Sequence, residues 1–255
     1  MRISFLGTGD AGGVPLYGCD CAACVRARAC ADVRRRPCSA LVEAGDTRIL
    51  LDAGLTDLAE RFPPGRLTAI VLTQFHADHV QGLLHLRWGR GPRIPVYGPP
   101  DAEGCADFYK HPGLLDFRPL TAFEPLALGP LTLTPLPLVH SKPTFGYAIE
   151  RADGARFAYL TDTAGLPLPT EAFLRAWRPA GLALDCSHPP REQAPRNHND
   201  WHRALAVIAA IAPERAWLTH IGHELDHWLQ ENAPCLPPGT ALAADGRTVS
   251  LAPPP

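Results

Sequence analysis

A layered α/β fold is what this sequence predicts. Short apolar or β-branched runs end in a polar residue or a glycine, helical stretches separate them, and residues 126–137 and 145–156 have a hairpin-like pattern. In chain order, residues 2–7 (Arg-Ile-Ser-Phe-Leu-Gly) open as a strand. Residues 48–52, 68–73, 94–98, 157–162, 181–185 and 216–220 follow as buried strands, each delivering its last side chain into a loop. Helical patterns fall between them at 56–62, 78–86, 170–177, 200–211 and 224–232.

The chain has 255 residues, 46% of them apolar and 20% charged, which is enough length for a sizeable core and consistent with one domain over 1–255. No window of eighteen residues is apolar and free of charge, so a membrane-spanning helix is excluded. The strand-like start lacks the regions of a signal peptide, and a cytoplasmic location is expected. A net charge of −2 lacks the basic excess of a nucleic-acid binder. Of the 24 basic residues only Lys110 and Lys142 are lysines, and the run Arg34, Arg35, Arg36 reads as a solvated turn or an anion contact.

Eight cysteines in such a chain do not suggest a disulfide framework. Cys19, Cys21 and Cys24 lie within six residues, whereas Cys30, Cys38, Cys105, Cys186 and Cys235 are scattered. Clustered thiols suggest a metal; the scattered ones read as small core residues. Three thiolates are one short of a closed structural zinc site, and any Cys or His brought near by folding would complete it.

Leu72-Thr73-Gln74-Phe75-His76-Ala77-Asp78-His79 follows an apolar run and opens a helix, so His76, Asp78 and His79 converge on one tight turn. Imidazoles and a carboxylate suit Zn, Mn or Fe. Taken alone, the same letters also describe a polar helix cap with Asp78 as N-cap. Three further strand ends add His140, Asp162 and His220, and a His or Asp at four strand ends is hard to reach by chance.

In that order the chain resembles the metallo-β-lactamase superfamily, whose first motif is H-x-H-x-D-H, followed by a separate His, an Asp and a His. Within it, the resemblance is nearest to the cyclic phosphodiesterases of the carbon–phosphorus lyase pathway. It runs from Gly7-Thr8-Gly9 and Gly18-Cys19-Asp20-Cys21-Ala22-Ala23-Cys24 through Pro95-Val96-Tyr97-Gly98-Pro99-Pro100 to Asp185-Cys186-Ser187-His188 and Asn197-His198. The resemblance implies a four-layer αββα sandwich with an N-terminal zinc knuckle over about residues 18–38. It implies two divalent metals in the active site (Mn, with Zn as the alternative), one structural Zn and a homodimer. The implied substrate is a small phosphorylated sugar, 5-phosphoribosyl 1,2-cyclic phosphate, opened to ribose 1,5-bisphosphate in phosphonate catabolism. Neither a nucleic-acid nor a membrane partner is expected, and residues 252–255 are expected to fray.

Residue by residue, the resemblance places the first metal at Gln74, His76, His140 and Asp162. It places the second at Asp78, His79, Asp162 and His220, with Asp162 bridging. Gln74 departs from the family, which has a histidine there; a neutral amide oxygen is a poorer donor than imidazole, so a weaker first position is expected. His223 is implied as the fourth zinc ligand with Cys19, Cys21 and Cys24. His198 is expected to neutralise the leaving sugar oxygen, with Asp78 counted beside it as catalytic; a purely structural hydrogen bond is the other reading of His198. His188 is a weaker candidate for that task. Lys142, two residues past His140, is expected to pair with a substrate phosphate, and Asp52 to support the metal turn from behind. His85, His202 and His227 read as surface or packing residues. A tRNA 3′-processing nuclease would want a basic arm that is absent here. A non-hydrolytic relative of the quinone-cofactor biosynthesis type agrees with Gln74 but not with the six retained ligands.

Overall fold

A computed structural model describes residues 1–193 and 195–253. Its strands, in chain order, are β1 (Arg2–Gly7), β2 (Ser39–Ala44), β3 (Thr47–Leu51), β4 (Ala69–Val71), β5 (Ile94–Gly98), β6 (Leu115–Pro119) and β7 (Leu126–Leu128). They continue as β8 (Leu131–Pro137), β9 (Phe145–Arg151), β10 (Arg156–Leu160), β11 (Gly181–Asp185), β12 (Arg215–Thr219), β13 (Thr240–Leu242) and β14 (Thr248–Ser250). The helices are α1 (Ala22–Ala29), α2 (Leu58–Arg61), α3 (Ala77–Val80), α4 (Leu83–Leu86), α5 (Ala106–Lys110), α6 (Leu168–Trp177), α7 (Trp201–Ile211) and α8 (His223–Asn232).

Two seven-stranded sheets result, ordered β14-β1-β2-β3-β4-β5-β6 and β7-β8-β9-β10-β11-β12-β13. Read in those directions, both sheets run through three antiparallel pairings and then three parallel ones. The inner parallel strands β4 and β11 are buried on both faces, which is why they are nearly continuous apolar runs, whereas the edge strands β6 and β13 are partly exposed. On β3, Ile49 and Leu51 point into the core between the sheets, while Leu50 faces the helices outside. On β12, Trp217 faces the inter-sheet core and Ala216 and Leu218 the opposite side, against α7 and α8. One core thus lies between the sheets and one outside each, giving the four αββα layers that the family resemblance implies.

The sequence-derived strands and helices are present, with shifted ends. Helix α7 starts where Asp200 accepts a hydrogen bond from the Arg203 amide at 2.9 Å, an N-cap that satisfies an otherwise free donor. The helix expected over 78–86 is instead two short helices, α3 and α4. The Gly82 amide donates to Ala53 O rather than to Asp78 O, and the Ala53 amide donates to His79 O, so the loop after β3 interrupts the helical ladder. Gly54 in that loop is required by close approach: a Cβ there would stand 1.6 Å from the Asp78 carbonyl oxygen. The Arg34–Arg36 run is not a solvated turn. Arg34 donates to Ala27 O, Arg35 to Thr8 Oγ1 and Ala243 O, and Arg36 to Asp245, so the run straps the N-terminal loop to the end of the second sheet. Among the described residues no helix is long and apolar enough to cross a membrane. Of the tail expected to fray, Ala252 and Pro253 are exposed, and Pro254 and Pro255 lie outside the described residues.

Candidate active site and metal centre

The C-terminal ends of strands from both sheets converge at one edge of the sandwich. The turn after β4 supplies Gln74, His76, Asp78 and His79, the loop after β8 His140, and the residues after β10 and β12 Asp162 and His220. Asp52 and His220 sit at φ +57° and +58°, the left-handed region in which few non-glycine residues are held, and one that marks constrained sites.

Asp78, His79, Asp162 and His220 each place a ligand atom within 4.8 Å of the others. His79 Nε2 lies 3.1 Å from Asp162 Oδ2 and 3.2 Å from Asp78 Oδ2. Partners behind the imidazoles fix which nitrogen faces inward. His79 Nδ1 is 3.0 Å from Asp52, which Thr73 holds through its amide and hydroxyl; His220 Nδ1 is 2.9 Å from Ser187 Oγ; His140 Nδ1 donates to Asn197 O at 3.0 Å. All three therefore present Nε2 to the centre, the arrangement that outer partners impose on metal-binding histidines. Asp52 supports the turn as the sequence suggested.

The donor set fits a divalent ion. Asp162 Oδ1 and His220 Nε2 are buried 3.0 Å apart without a well-formed hydrogen bond. Burial works against a charged His220, but the facing carboxylates raise its pKa to about 10, and a divalent ion bound there would take the place of that proton. Burial alone would raise the carboxyls of Asp78 and Asp162, but the facing histidines hold both well below the usual carboxylate range. Burial pushes His76 and His140 down, which keeps them neutral donors.

The other half of the expected ligand set is also together. His76 Nδ1 lies 3.1 Å from His140 Nε2, and the buried Gln74 amide nitrogen lies 3.3 Å from that same atom and 2.6 Å from Asp162 Oδ2. Gln74 thus turns its nitrogen, not its oxygen, toward the Asp162 carboxylate.

A cavity of about 560 Å³ opens over these groups, lined also by His198, His188 and Asp10. His198 Nδ1 is 2.7 Å from Asp185 Oδ2, and its ring stacks on His220 with centroids 4.9 Å apart. Burial works against the charged form of His198, but the Asp185 carboxylate outweighs it and the net shift is upward. Asp185, His198, Asp162 and His220 also cluster within 4.8 Å. Asp185, however, is already engaged by Ser187 Oγ, the Thr163 amide and His198, so it acts as an anchor for His198. His188 stands further out, 6.1 Å from the His198 ring. Lys142 is not brought to the cavity: Nζ pairs with Asp101 at 3.3 Å, beside a neighbouring apolar pocket. His85 and His202 are exposed, and His227 faces Glu231, in line with surface roles.

Cys19, Cys21, Cys24 and His223 bring their ligand atoms within 4.8 Å of one another, with His223 Nδ1 3.4 Å from Cys19 Sγ and 3.7 Å from Cys21 Sγ. Three thiols and one imidazole are the donor set of a closed structural zinc site. The expected knuckle contains α1, which carries Cys24 and packs on α8.

Sequence reasoning passed over Asp10, Asp185 as an anchor, and Ser187. The strand-end triplet Asp185-Cys186-Ser187 was the available signal for two of them.

Residues 47–221 match the beta-lactamase superfamily domain. The chain is 31% identical to the probable metallo-hydrolase YhfI of Bacillus subtilis over 202 residues, 72% of this chain and 79% of that protein. It belongs to the β-lactamase superfamily and carries the fold of its metallo-hydrolases. A crystal structure described as a new diphosphatase from the PhnP family superposes with a TM-score of 0.80 at 27% identity, over 98% of this chain and 97% of that one. An octanoyltransferase of Porphyromonas gingivalis is 29% identical over 96% of this chain, but the chain spans only about half, 51%, of that protein's length.

Proposed function

We propose that this chain is a metal-dependent phosphodiesterase that opens 5-phosphoribosyl 1,2-cyclic phosphate to ribose 1,5-bisphosphate. The observation that carries the reading is the place of His198, anchored by Asp185 at 2.7 Å and lining the same cavity as the ligand cluster. Similarity to a PhnP-family diphosphatase supports phosphoryl chemistry, and the sequence resemblance supports the cyclic sugar phosphate. Manganese as the working ion, a homodimer, a cytoplasmic location and a place in phosphonate catabolism belong to the same proposal.

A divalent ion at Asp78, His79, Asp162 and His220 supplies Lewis acidity and an acidified water. The chain's own residues do the rest. Asp185 holds His198 through Nδ1, which leaves Nε2 for the cavity. As the P–O2 bond of the cyclic ester breaks, His198 Nε2 passes its proton to the departing sugar oxygen, while the oxygen of water ends on phosphorus. The phosphate stays on C1, and His198 recovers its proton from the water consumed. Lys142, held by Asp101, takes no part.

The test is ³¹P NMR of the metal-loaded protein acting on the cyclic phosphate, with a precursor tRNA as a parallel substrate. Appearance of the 1-phosphate monoester supports the proposal. An intact cyclic phosphate, with or without tRNA cleavage, overturns it.

A further inference from the structure

The two halves of the ligand cluster differ in what their lone pairs are already doing. At Asp78, His79, Asp162 and His220, the facing atoms Asp162 Oδ1 and His220 Nε2 are buried without hydrogen-bond partners. On the Gln74 side the facing acceptors are engaged by an uncharged amide, beside His79 Nε2 at 3.1 Å from the same Asp162 Oδ2 and His76 Nδ1 at 3.1 Å from the same His140 Nε2. The amide nitrogen of Gln74 donates to Asp162 Oδ2 at 2.6 Å and lies 3.3 Å from His140 Nε2. That atom of His140 is an acceptor, because Nδ1 carries the proton given to Asn197 O. Two amide protons therefore reach the carboxylate oxygen and the imidazole nitrogen that a first-position ion would claim.

The orientation of the amide follows from these neighbours rather than from a naming of atoms. Turned over, Oε1 would stand where the nitrogen is, about 2.6 Å from an ionised carboxylate oxygen and against a nitrogen lone pair, an orientation that only a cation held among the three would stabilise. As it stands, Oε1 is fully buried and unpartnered, a cost accepted on one atom to satisfy two.

We propose that the cavity binds one divalent ion, at Asp78, His79, Asp162 and His220, and that the Gln74 amide replaces the second ion by hydrogen-bonding to Asp162 and His140. The inference rests on the metal-hydrolase reading above. It also changes the charge of the site, which carries two positive charges fewer than a two-ion centre would.

The experiment counts manganese, a hard ion that the thiolate knuckle does not favour. The protein is depleted of cavity metal, titrated with Mn²⁺ and followed by equilibrium dialysis and electron paramagnetic resonance, beside Gln74→His and Gln74→Glu. The parent is expected to bind about one Mn²⁺ per chain with the spectrum of an isolated ion, and the variants about two, with a spin-coupled pair. The Glu variant keeps the shape of the side chain and guards against misfolding of the His variant. About two coupled Mn²⁺ in the parent would overturn the proposal while leaving the metal-hydrolase reading intact; no bound Mn²⁺ would overturn both. Failure of both folded variants to gain an ion would also overturn it.

Discussion

The cysteine knuckle and the histidine–aspartate cavity meet where β12 leads into α8, with His223 in the knuckle and His220 in the cavity, yet they are built in opposite ways. The knuckle draws three ligands from a six-residue stretch and adds one imidazole; none of the four lines the cavity. The cavity cluster takes its ligands from strand ends of both sheets and opens to solvent. A mostly local site organises a loop and can help the chain fold. A site assembled from distant strand ends exists only once both sheets are in place, so it can carry chemistry without carrying stability.

Substitutions at that junction and around it break or sharpen that contrast. The largest effect on turnover is expected from His220→Ala, which removes a cavity ligand: metal analysis should show the cavity ion lost and the knuckle zinc kept, with cyclic-phosphate hydrolysis abolished. Cys21→Ser should do the reverse. It should lose one zinc per chain and lower the melting temperature by on the order of 10 °C, while the remaining folded protein turns over normally. Abolished turnover with unchanged melting would make the knuckle a catalytic site.

His198→Ala tests the open cavity more finely. It should lower kcat by about 10²–10⁴-fold with metal content intact, as expected of a lost general acid. An unchanged rate at saturating substrate removes that role. Asp185→Asn should cost less, about 10–100-fold. It should also shift the pH profile. Burial lowers the His198 pKa and Asp185 more than restores it, so the net shift in the folded protein is upward. A general acid works only while protonated, so activity falls as pH rises through that pKa. Taking away the carboxylate moves this alkaline limb to lower pH; a profile displaced upward would contradict the positioning role.

Much of this was legible in the sequence because strand ends are. Asp162, His140 and His220 each follow an apolar run, and that pattern survives folding unchanged. Where sequence reasoning erred, a tertiary partner decided the outcome. The 78–86 helix splits because the Gly82 amide finds Ala53 O across a loop. Lys142 leaves the cavity because Asp101, 41 positions away, holds it. Gln74 could be recognised as a departure, but which end of its amide faces Asp162 depends on His140 and Asn197, which no local pattern connects to it.

The pairing order of the first sheet fixes a sequence of events during synthesis. β14 lies beside β1, joining Ile3 to Val249 in register, while the second sheet is a continuous stretch from β7 to β13. The outer edge of β1 thus stays unpaired until residues 248–250 emerge, long after its other neighbour β2 has formed. An open strand edge is a template for pairing with foreign chains. Until β14 is made, that edge of β1 is open to such mispairing, and pairing with β14 closes it.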